Sequence, residues 1–587
     1  MSNLGAVFNI GRTALSTQRY GLDVTAQNIA NVNTTGYSRQ SAVFEPAQPV
    51  CSGNLILGQG VDATQVIRTT DRFIEAQLMQ QRSKMSYSEE MENYMQVLEG
   101  VFNENLETSV SSMMSDFWNL WHDISNNPSG VSERTALYEH SVLLSERFNS
   151  LDDALVNLET DLTRSLSAEI VGVNRIANEI AQLNEKIVEL EAGGNIANDL
   201  RDSRNTLLSE LSEYLDVNSF DQSDGTLTVV TARGCVLVQG NSSYGLEMGG
   251  DNGDRVEWQS SGGMSVDITD YINNGKLGGW LTMRDEIIAE YKMDLSSLAG
   301  EFVWAVNSQH CQGVGLEAFS TYTGSFKVED SAEELGTQAS GLSFYNKISD
   351  GTFKLWVYDS DGNVVGGGAT EISIDADPGG TSLDSLSSDI AAVAHLNTGI
   401  TTEGKLSIDA DTGYTFAFSD DTGNVLAALG VNAFFKGAGA GSIDVIDTIG
   451  FDKGSIAASR IDATGSYVSG DNSNALAIAD LQYTSLDIPQ WTCDRVTGNS
   501  EGNLNATIEN YYHALVGSVG TTGSSISSGL AISEAMVTRL SVVRDSISAV
   551  SLDEEMTNLI KYQSAYEAAS KLISTADEML ETLLDIK

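Results

Sequence analysis

From Leu144 to Leu190 the chain places an apolar residue every three or four positions, and no proline interrupts it. Leu144, Phe148, Leu151, Leu155, Leu158 and Leu162 open the stripe. Leu166, Ile170, Val173, Ile176, Ile180, Leu183, Ile187 and Leu190 continue it. Alternating steps of four and three put these side chains on one face of a helix. Gly172 alone breaks the pattern before Gly193-Gly194 ends it. At 1.5 Å per residue such a helix runs about 70 Å. That length predicts an extended, coiled-coil-like helix, not a compact bundle.

The two ends repeat the theme more thinly. Within residues 1–37 the charged residues are Arg12, Arg19 and Asp23, while Phe8, Leu15, Leu22 and Ile29 recur every seven positions. Pro46 and Pro49 follow as breakers. At the other end Leu552, Leu559, Tyr566, Ile573 and Leu580 are also spaced by seven, with Tyr562 and Leu583 in companion positions. Asp553, Glu554 and Glu555 open this segment, where negative charge suits a helix start. Neither stripe can hold its segment folded alone. Each apolar residue contributes roughly 1.5–3 kcal/mol if buried, and ordering costs on the order of 1.5 kcal/mol for every residue. Both ends therefore require partners, and the expectation is that they order fully on polymerisation.

Between these ends the period changes. Tyr87, Met91, Tyr94, Leu98 and Phe102 extend helical character ahead of the long stripe. From about 217, segments such as GTLTVVTARGCVLVQG and GTFKLWVYDSDGNVVGG alternate like antiparallel strands joined by Asp-Gly and Gly-Asn turns. A helical insert near 283–309 divides them, and helical character returns at about 503–548. The fold class expected is α+β and multi-domain, with long coiled-coil-like terminal helices and antiparallel β-rich central domains. Its parts are a helical segment at 1–45 pairing with an amphipathic helix at 549–587, and a helical rod at 46–314 with a β segment near 217–275. That rod is completed by 461–548, and a β-rich outer insertion occupies 315–460.

The chain carries 81 acidic against 32 basic residues, a net charge of −49. Such a field repels nucleic acid and anionic membranes. No stretch reads as the roughly 18 apolar residues of a membrane helix, and MSNLGAVFNIGRTALSTQRY lacks the pattern of a cleaved signal peptide. Cys51, Cys235, Cys311 and Cys493 show no metal-ligand spacing; Cys235 and Cys311 read as small buried hydrophobes.

Catalytic patterns are missing too. None of His122, His140, His310, His395 and His513 lies in an HExxH, and there is no GxSxG, Walker loop or GxGxxG. His310 beside Cys311 reads as a pair of core residues, and Asp359-Ser-Asp-Gly and Asp420-Asp-Thr-Gly as turns without EF-hand spacing. No enzyme activity, cofactor or metal is expected.

Two strings are more specific. AQNIANVNTTGYSRQ, Ala26 to Gln40, resembles the signature of the bacterial flagellar rod, hook and hook-associated proteins, and the segment from Ser551 to Lys587 resembles their C-terminal signature. NDLRDSRNTLLSELSEYLDV (198–217), LAGEFVWAVNSQHCQGVGL (298–316) and NVLAALGVNAFFKG (424–437) resemble the hook-associated branch. The likeness covers 1–316 and 461–587. It implies an extracellular structural subunit at the hook–filament junction, exported through the flagellar type III apparatus without a cleaved signal. It further implies self-assembly, contact with the hook protein and the next hook-associated protein, and an export chaperone on the C-terminal helix. The assembly motif implied is Asn28, Ile29, Ala30, Asn31, Asn33, Thr34, Gly36, Tyr37, Arg39 and Gln40. The seam for assembly or chaperone is Leu552, Leu559, Tyr562, Tyr566, Ile573, Leu580 and Leu583. The hook protein itself, or an axial protein with an adhesive outer domain, is the alternative reading.

Overall fold

The computed structural model describes residues 2–52, 55–103, 109–377 and 379–585. In chain order, α1 (Ser2–Ala30) leads into β1 (Gln40–Pro46), β2 (Val50–Ser52), β3 (Leu55–Leu57) and β4 (Val61–Arg68). Four helices follow: α2 (Arg72–Phe102), α3 (Val110–Asn126), α4 (Val131–Glu191) and α5 (Asn198–Tyr214). Strands β5 (Val217–Asp221), β6 (Leu227–Thr231), β7 (Val236–Gln239) and β8 (Ser242–Ser243) form one antiparallel sheet. Strands β9 (Leu246–Gly249), β10 (Arg255–Gln259) and β11 (Ser265–Asp267) form another.

After α6 (Gly275–Thr282) a π-helical turn, Met283–Ile288, leads into α7 (Ala289–His310). Strands β12 (Thr321–Thr323), β13 (Gly351–Tyr358) and β14 (Thr370–Ile374), then α8 (Leu383–Ala391), precede β15 (Leu396–Ile400), β16 (Leu406–Ala410) and β17 (Thr415–Ser419). They make two three-stranded antiparallel sheets, ordered β12-β16-β15 and β14-β13-β17. Short pieces follow: α9 (Val425–Leu429), β18 (Phe435–Lys436), β19 (Asp444–Val445), α10 (Asp447–Phe451) and α11 (Ser473–Ala479). A hairpin of β20 (Leu486–Thr492) and β21 (Ser500–Ala506), then α12 (Ile508–Ser548) and α13 (Leu552–Asp585), complete the chain.

Long helices at both ends with antiparallel sheets between them bear out the α+β class. Three local expectations are corrected. Within the expected helical rod at 46–314, residues 61–68 are strand and the first rod helix begins at Arg72. Residues 500–506 are strand as well, and α12 begins at Ile508. The sequence SEGNLNA has no apolar alternation; it is ordered through its partner, residue against residue from Leu486↔Ala506 to Thr492↔Ser500. Finally, an 18-residue window within Ile508–Thr582 does reach membrane-like hydropathy, and none of it is buried. Interleaved Ser, Gly, Ala and Thr hide that window from a reading that looks for bulky apolar residues.

The chain divides into two compact units, one of residues 1–94, 161–283 and 524–587, the other of 95–160 and 284–523. In the first, the α4 stripe is buried at Leu162, Leu166, Ile170, Val173, Ile176, Ile180 and Ile187, whereas Leu190 is exposed. Asn184 on the same face ties α4 to the first sheet through the Leu227 and Gly240 carbonyls, both at 2.8 Å. In the second, Phe117, Trp118 and Trp121 of α3 meet Phe302 of α7, Phe434 and Phe435 in an aromatic core. Arg134 is buried there, its guanidinium bonded to the carbonyls of Pro128, Lys453, Gly454 and Ile456. Burial lowers its pKa to about 10.

His310 lies in that core too. Its Nδ1–H donates to the Asn432 carbonyl at 2.7 Å, and Nε2 accepts the Ala457 N–H at 2.9 Å. Burial lowers its pKa to about 4. Cys311 is buried and its thiol donates to the Val431 carbonyl at 3.0 Å; Cys493 is also buried, Cys235 half-buried and Cys51 exposed. Because the folded pKa of His310 is depressed, acidification from about pH 6.5 to 4 protonates the unfolded chain first and costs the fold about 3 kcal/mol. Asp294 and Asp421, pushed up to about 6 by burial, act in the opposite sense. The gap in stability between wild type and His310→Gln should therefore narrow by about 3 kcal/mol between pH 7 and pH 4. Denaturant melts followed by the fluorescence of Trp118 and Trp121 measure it; an unchanged gap would contradict the buried neutral imidazole.

Candidate functional site

Helix α1 stops at Ala30 because the chain turns twice in seven residues. The Thr34 N–H donates to the Asn31 carbonyl at 2.9 Å, and the Tyr37 N–H to the Thr34 carbonyl at 3.2 Å. Gly36 sits at φ 79°, and a Cβ there would lie 2.4 Å from Thr206 Oγ1, so both backbone and space require glycine. The turn brings Ser38, Arg39 and Gln40 back beside the helix they have just left.

Asn28, 1% exposed, is the hub. Its Oδ1 accepts the Gln40 N–H at 3.0 Å and the Tyr37 hydroxyl at 2.9 Å. Its Nδ2 donates to the Gln40 carbonyl at 2.9 Å and to Glu555 Oε2 at 3.1 Å. Both atoms of one buried amide are thus doubly used. Arg39 closes the loop: Nε donates to Glu555 Oε1 at 2.8 Å and Nη1 to Glu554 Oε2 at 2.7 Å, while its N–H donates to the Ser548 carbonyl at 2.9 Å. The first two turns of α5 hold the other side. Asp202 accepts the Ser38 N–H (3.0 Å), the Ser38 hydroxyl (2.8 Å) and Arg68 (2.7 Å); Asp199 accepts Gln40 Nε2 at 2.7 Å. Burial, and then the carboxylates of Asp199, Asp202 and Glu555, hold the Tyr37 hydroxyl well above its usual pKa, so it stays a donor.

These bonds join the two signature strings of the chain into one polar clasp. From it α1 and α13 run together. Gly11, Gly21 and Asn28 of α1 face α13, and Thr17 bonds the Val61 carbonyl of β4. All four and Thr25 are buried, whereas Phe8, Leu15, Leu22 and Ile29 are only half-buried. A Cβ at Gly11 would stand 2.6 Å from Ile573 Cγ1, and one at Gly21 3.0 Å from the Tyr562 ring. The β1–β4 hairpin covers α1, with Phe44 set edge-on to Tyr562 at 6.0 Å.

The structure brings Asn28, Tyr37, Arg39 and Gln40 together. Ile29 and Asn31 lie half-buried beside them, and Ala30, Asn33, Thr34 and Gly36 are exposed on the turn. On α13 the inward line is Glu555, Tyr562, Ala569 and Ala576, with Leu559 and Ile573 half-buried. Leu552, Tyr566 and Leu580 are 48%, 39% and 40% exposed. The Leu583 side chain lies outside the described residues. Ser38, Arg68, Asn198, Asp199, Asp202, Glu554 and Glu555 were not singled out by spacing. For the four carboxylates the signal was acidic charge near the starts of α5 and α13, which also fits a helix dipole, and Ser38, Arg68 and Asn198 carried none.

At the clasp Asn28, Asp202 and Glu555 are bonded on both polar atoms, and Asn198 Oδ1 and Ser548 Oγ are buried without a partner among the described residues. A cleft lined by Asn31, Gly36, Tyr37, Asp202 and Arg544 opens beside the turn. Elsewhere, among the described residues, Asp350, Asp375 and Asp377 group their exposed carboxylates, but Asp350 accepts the Ala376 N–H across from it and Asp375 the Asp377 N–H of its own loop. Asp359 likewise accepts the N–H groups of Asp361 and Asn363 in a turn.

Three family models match in chain order. One described as Flagella basal body rod protein covers residues 8–37, Flagellar hook-associated protein FlgK helical domain covers 95–324, and Flagellar basal body rod FlgEFG protein C-terminal covers 545–586. Flagellar hook-associated protein 1 of Bacillus subtilis is 26% identical over 585 residues, 98% of this chain and 96% of its own length. The protein of that name from Escherichia coli is 26% identical over 603 residues, with both chains covered in full. The solved flagellar hook junction protein FlgK from Burkholderia pseudomallei shares the fold at a TM-score of 0.52, with 16% identity, over 80% of this chain and all of that one. Matched at both ends, through its helical middle and along its whole length, the chain belongs with the flagellar hook-associated proteins, structural subunits of the flagellar axis.

Proposed function

We propose that this chain polymerises into the layer that joins the flagellar hook to the filament, and that its task is mechanical, without catalysis. The observation that carries the reading is the clasp, in which Asn28 and Arg39 from one end of the chain bind Glu555 from the other. A subunit whose ends are clasped together presents them as one helical pair for packing against identical copies. The exposed apolar surface of α12 and α13 gives those copies something to cover; Ile532, Val542, Met556 and Ile560 are between 50% and 68% exposed. We further infer that the pair orders fully only when neighbours cover that surface, with the hook protein on one side and the next hook-associated protein on the other.

Export follows from the same chemistry. The chain passes the flagellar type III apparatus, and before assembly a chaperone covers the ridge of α13. Leu552, Met556 and Ile560, four residues apart and all exposed, form that ridge. Chaperone and neighbouring subunit compete for it, so early polymerisation is blocked. Ile560→Asp should leave the soluble fold intact by circular dichroism yet remove the chain from flagella; normal incorporation would count against the ridge. Leu559→Asp or Ile573→Asp should also block incorporation, but through the packing of α1 on α13. Immunogold labelling of isolated flagella tests the assignment as a whole. Label is expected at the base of the filament where it meets the hook, and label along the hook shaft would overturn it.

A further inference from the structure

One surface of the first unit is left without a purpose by the clasp. Residues 46–61, PAQPVCSGNLILGQGV, contain no charged side chain in a chain of net charge −49. Within them, among the described residues, β2 and β3 pair only with each other, Cys51 opposite Ile56. Val50 is 53% and Ile56 74% exposed, and Cys51 is exposed. Exposed apolar side chains grouped in this way are a solvation cost unless something covers them.

A second surface matches it. Along residues 524–543 of α12 the charges are Glu534 and Arg539, which cancel. Ile532 is 68%, Met536 40% and Val542 65% exposed. Gly529 lies among them in the helix interior, and a Cβ built there would meet nothing within 4 Å. A helical glycine costs about 1 kcal/mol relative to alanine, and no neighbour in its own chain requires this one. Close approach of a partner would require it.

Resting on the self-assembly reading above, we infer that the β2–β3 hairpin of one copy docks on the Gly529–Met536 face of α12 in the next. Two copies of so acidic a chain repel each other, and contact closes most readily where both surfaces lack net charge. Ile56 and Cys51, paired across the hairpin and so on one face of it, supply the knob, and Ser525, Ser528 and Gly529 leave a shallow seat. Since the two surfaces differ, the contact is head-to-tail and propagates beyond a dimer.

Native Cys51 makes the test direct. Flagella are isolated from a strain whose only copy is the full-length chain with Ser528→Cys, and are treated with a short bismaleimide. A denaturing gel should show a ladder of dimers, trimers and longer species, lost when Cys51→Ser is added. Monomers alone in flagella that contain the chain, a ladder that stops at dimer, or one that survives Cys51→Ser would each overturn the inference. Gly529→Leu should leave the soluble chain folded and melting no lower, yet abolish the ladder; an undiminished ladder would again overturn it. If the chain without Gly529→Leu is absent from flagella altogether, the junction reading itself fails, and an immunoblot separates that result from the others.

Discussion

Glu555→Ala is expected to release α1 from α13 while the rest of the molecule stays folded. Glu555 is 2% exposed and takes Arg39 Nε at 2.8 Å and Asn28 Nδ2 at 3.1 Å. Removing it leaves a buried amide donor unpaired and Arg39 with Glu554 alone. Loss of one member of a buried pair costs about 3–5 kcal/mol. Arg39 keeps some solvent and a second carboxylate, so about 3 kcal/mol is the reasonable share. That corresponds to roughly 150-fold faster amide exchange in α1 and α13, at about 1.4 kcal/mol per factor of ten. Exchange in the α3–α7 core should not change. Glu555→Gln keeps both acceptor geometry and size at one oxygen, so its loss should be smaller. Exchange as slow as wild type in Glu555→Ala would show that the clasp does not hold the ends together.

Gly11→Val is expected to be nearly as severe, for a steric reason. A Cβ at that position stands 2.6 Å from Ile573 Cγ1, 3.3 Å from its Cδ1 and 3.4 Å from Leu572 Cδ2. Either the isoleucine leaves its rotamer or the two helices separate, at about 1–3 kcal/mol for an overpacked contact. Gly5 provides the control, because a Cβ there meets nothing within 4 Å. Gly5→Val should assemble and Gly11→Val should not. Adding Ile573→Ala to Gly11→Val removes the colliding atoms and should restore part of the lost assembly. Filament counts by electron microscopy read all three. If Gly11→Val assembled as well as Gly5→Val, the α1–α13 contact drawn above would be wrong.

What could be read from the sequence depended on which forces wrote each segment. The α4 stripe was legible because bulky apolar residues fill a core, and nearly all of them are buried where the period put them. The signature string was legible as a string, but its partners were not. Glu555 and Asp202 look like ordinary N-terminal helix charges, and nothing in their spacing says that they bind Arg39 and Ser38. The seam of α13 shifted for a related reason. Leu552, Tyr566 and Leu580 form the heptad of large residues, yet α1 offers glycine, and the closest packing selects Ala569, Ala576 and the edge of Tyr562. A rule that seeks large apolar side chains finds the face left for others to cover. The β20–β21 hairpin went unseen because SEGNLNA carries no pattern of its own and is ordered by its partner strand.

The most direct measurement is electron microscopy of flagella from a strain that lacks this gene. Hooks should end bare, with flagellin shed into the medium, and the wild-type gene should restore filaments where Glu555→Ala does not. Filaments attached as in the parent strain would contradict a junction role for this chain.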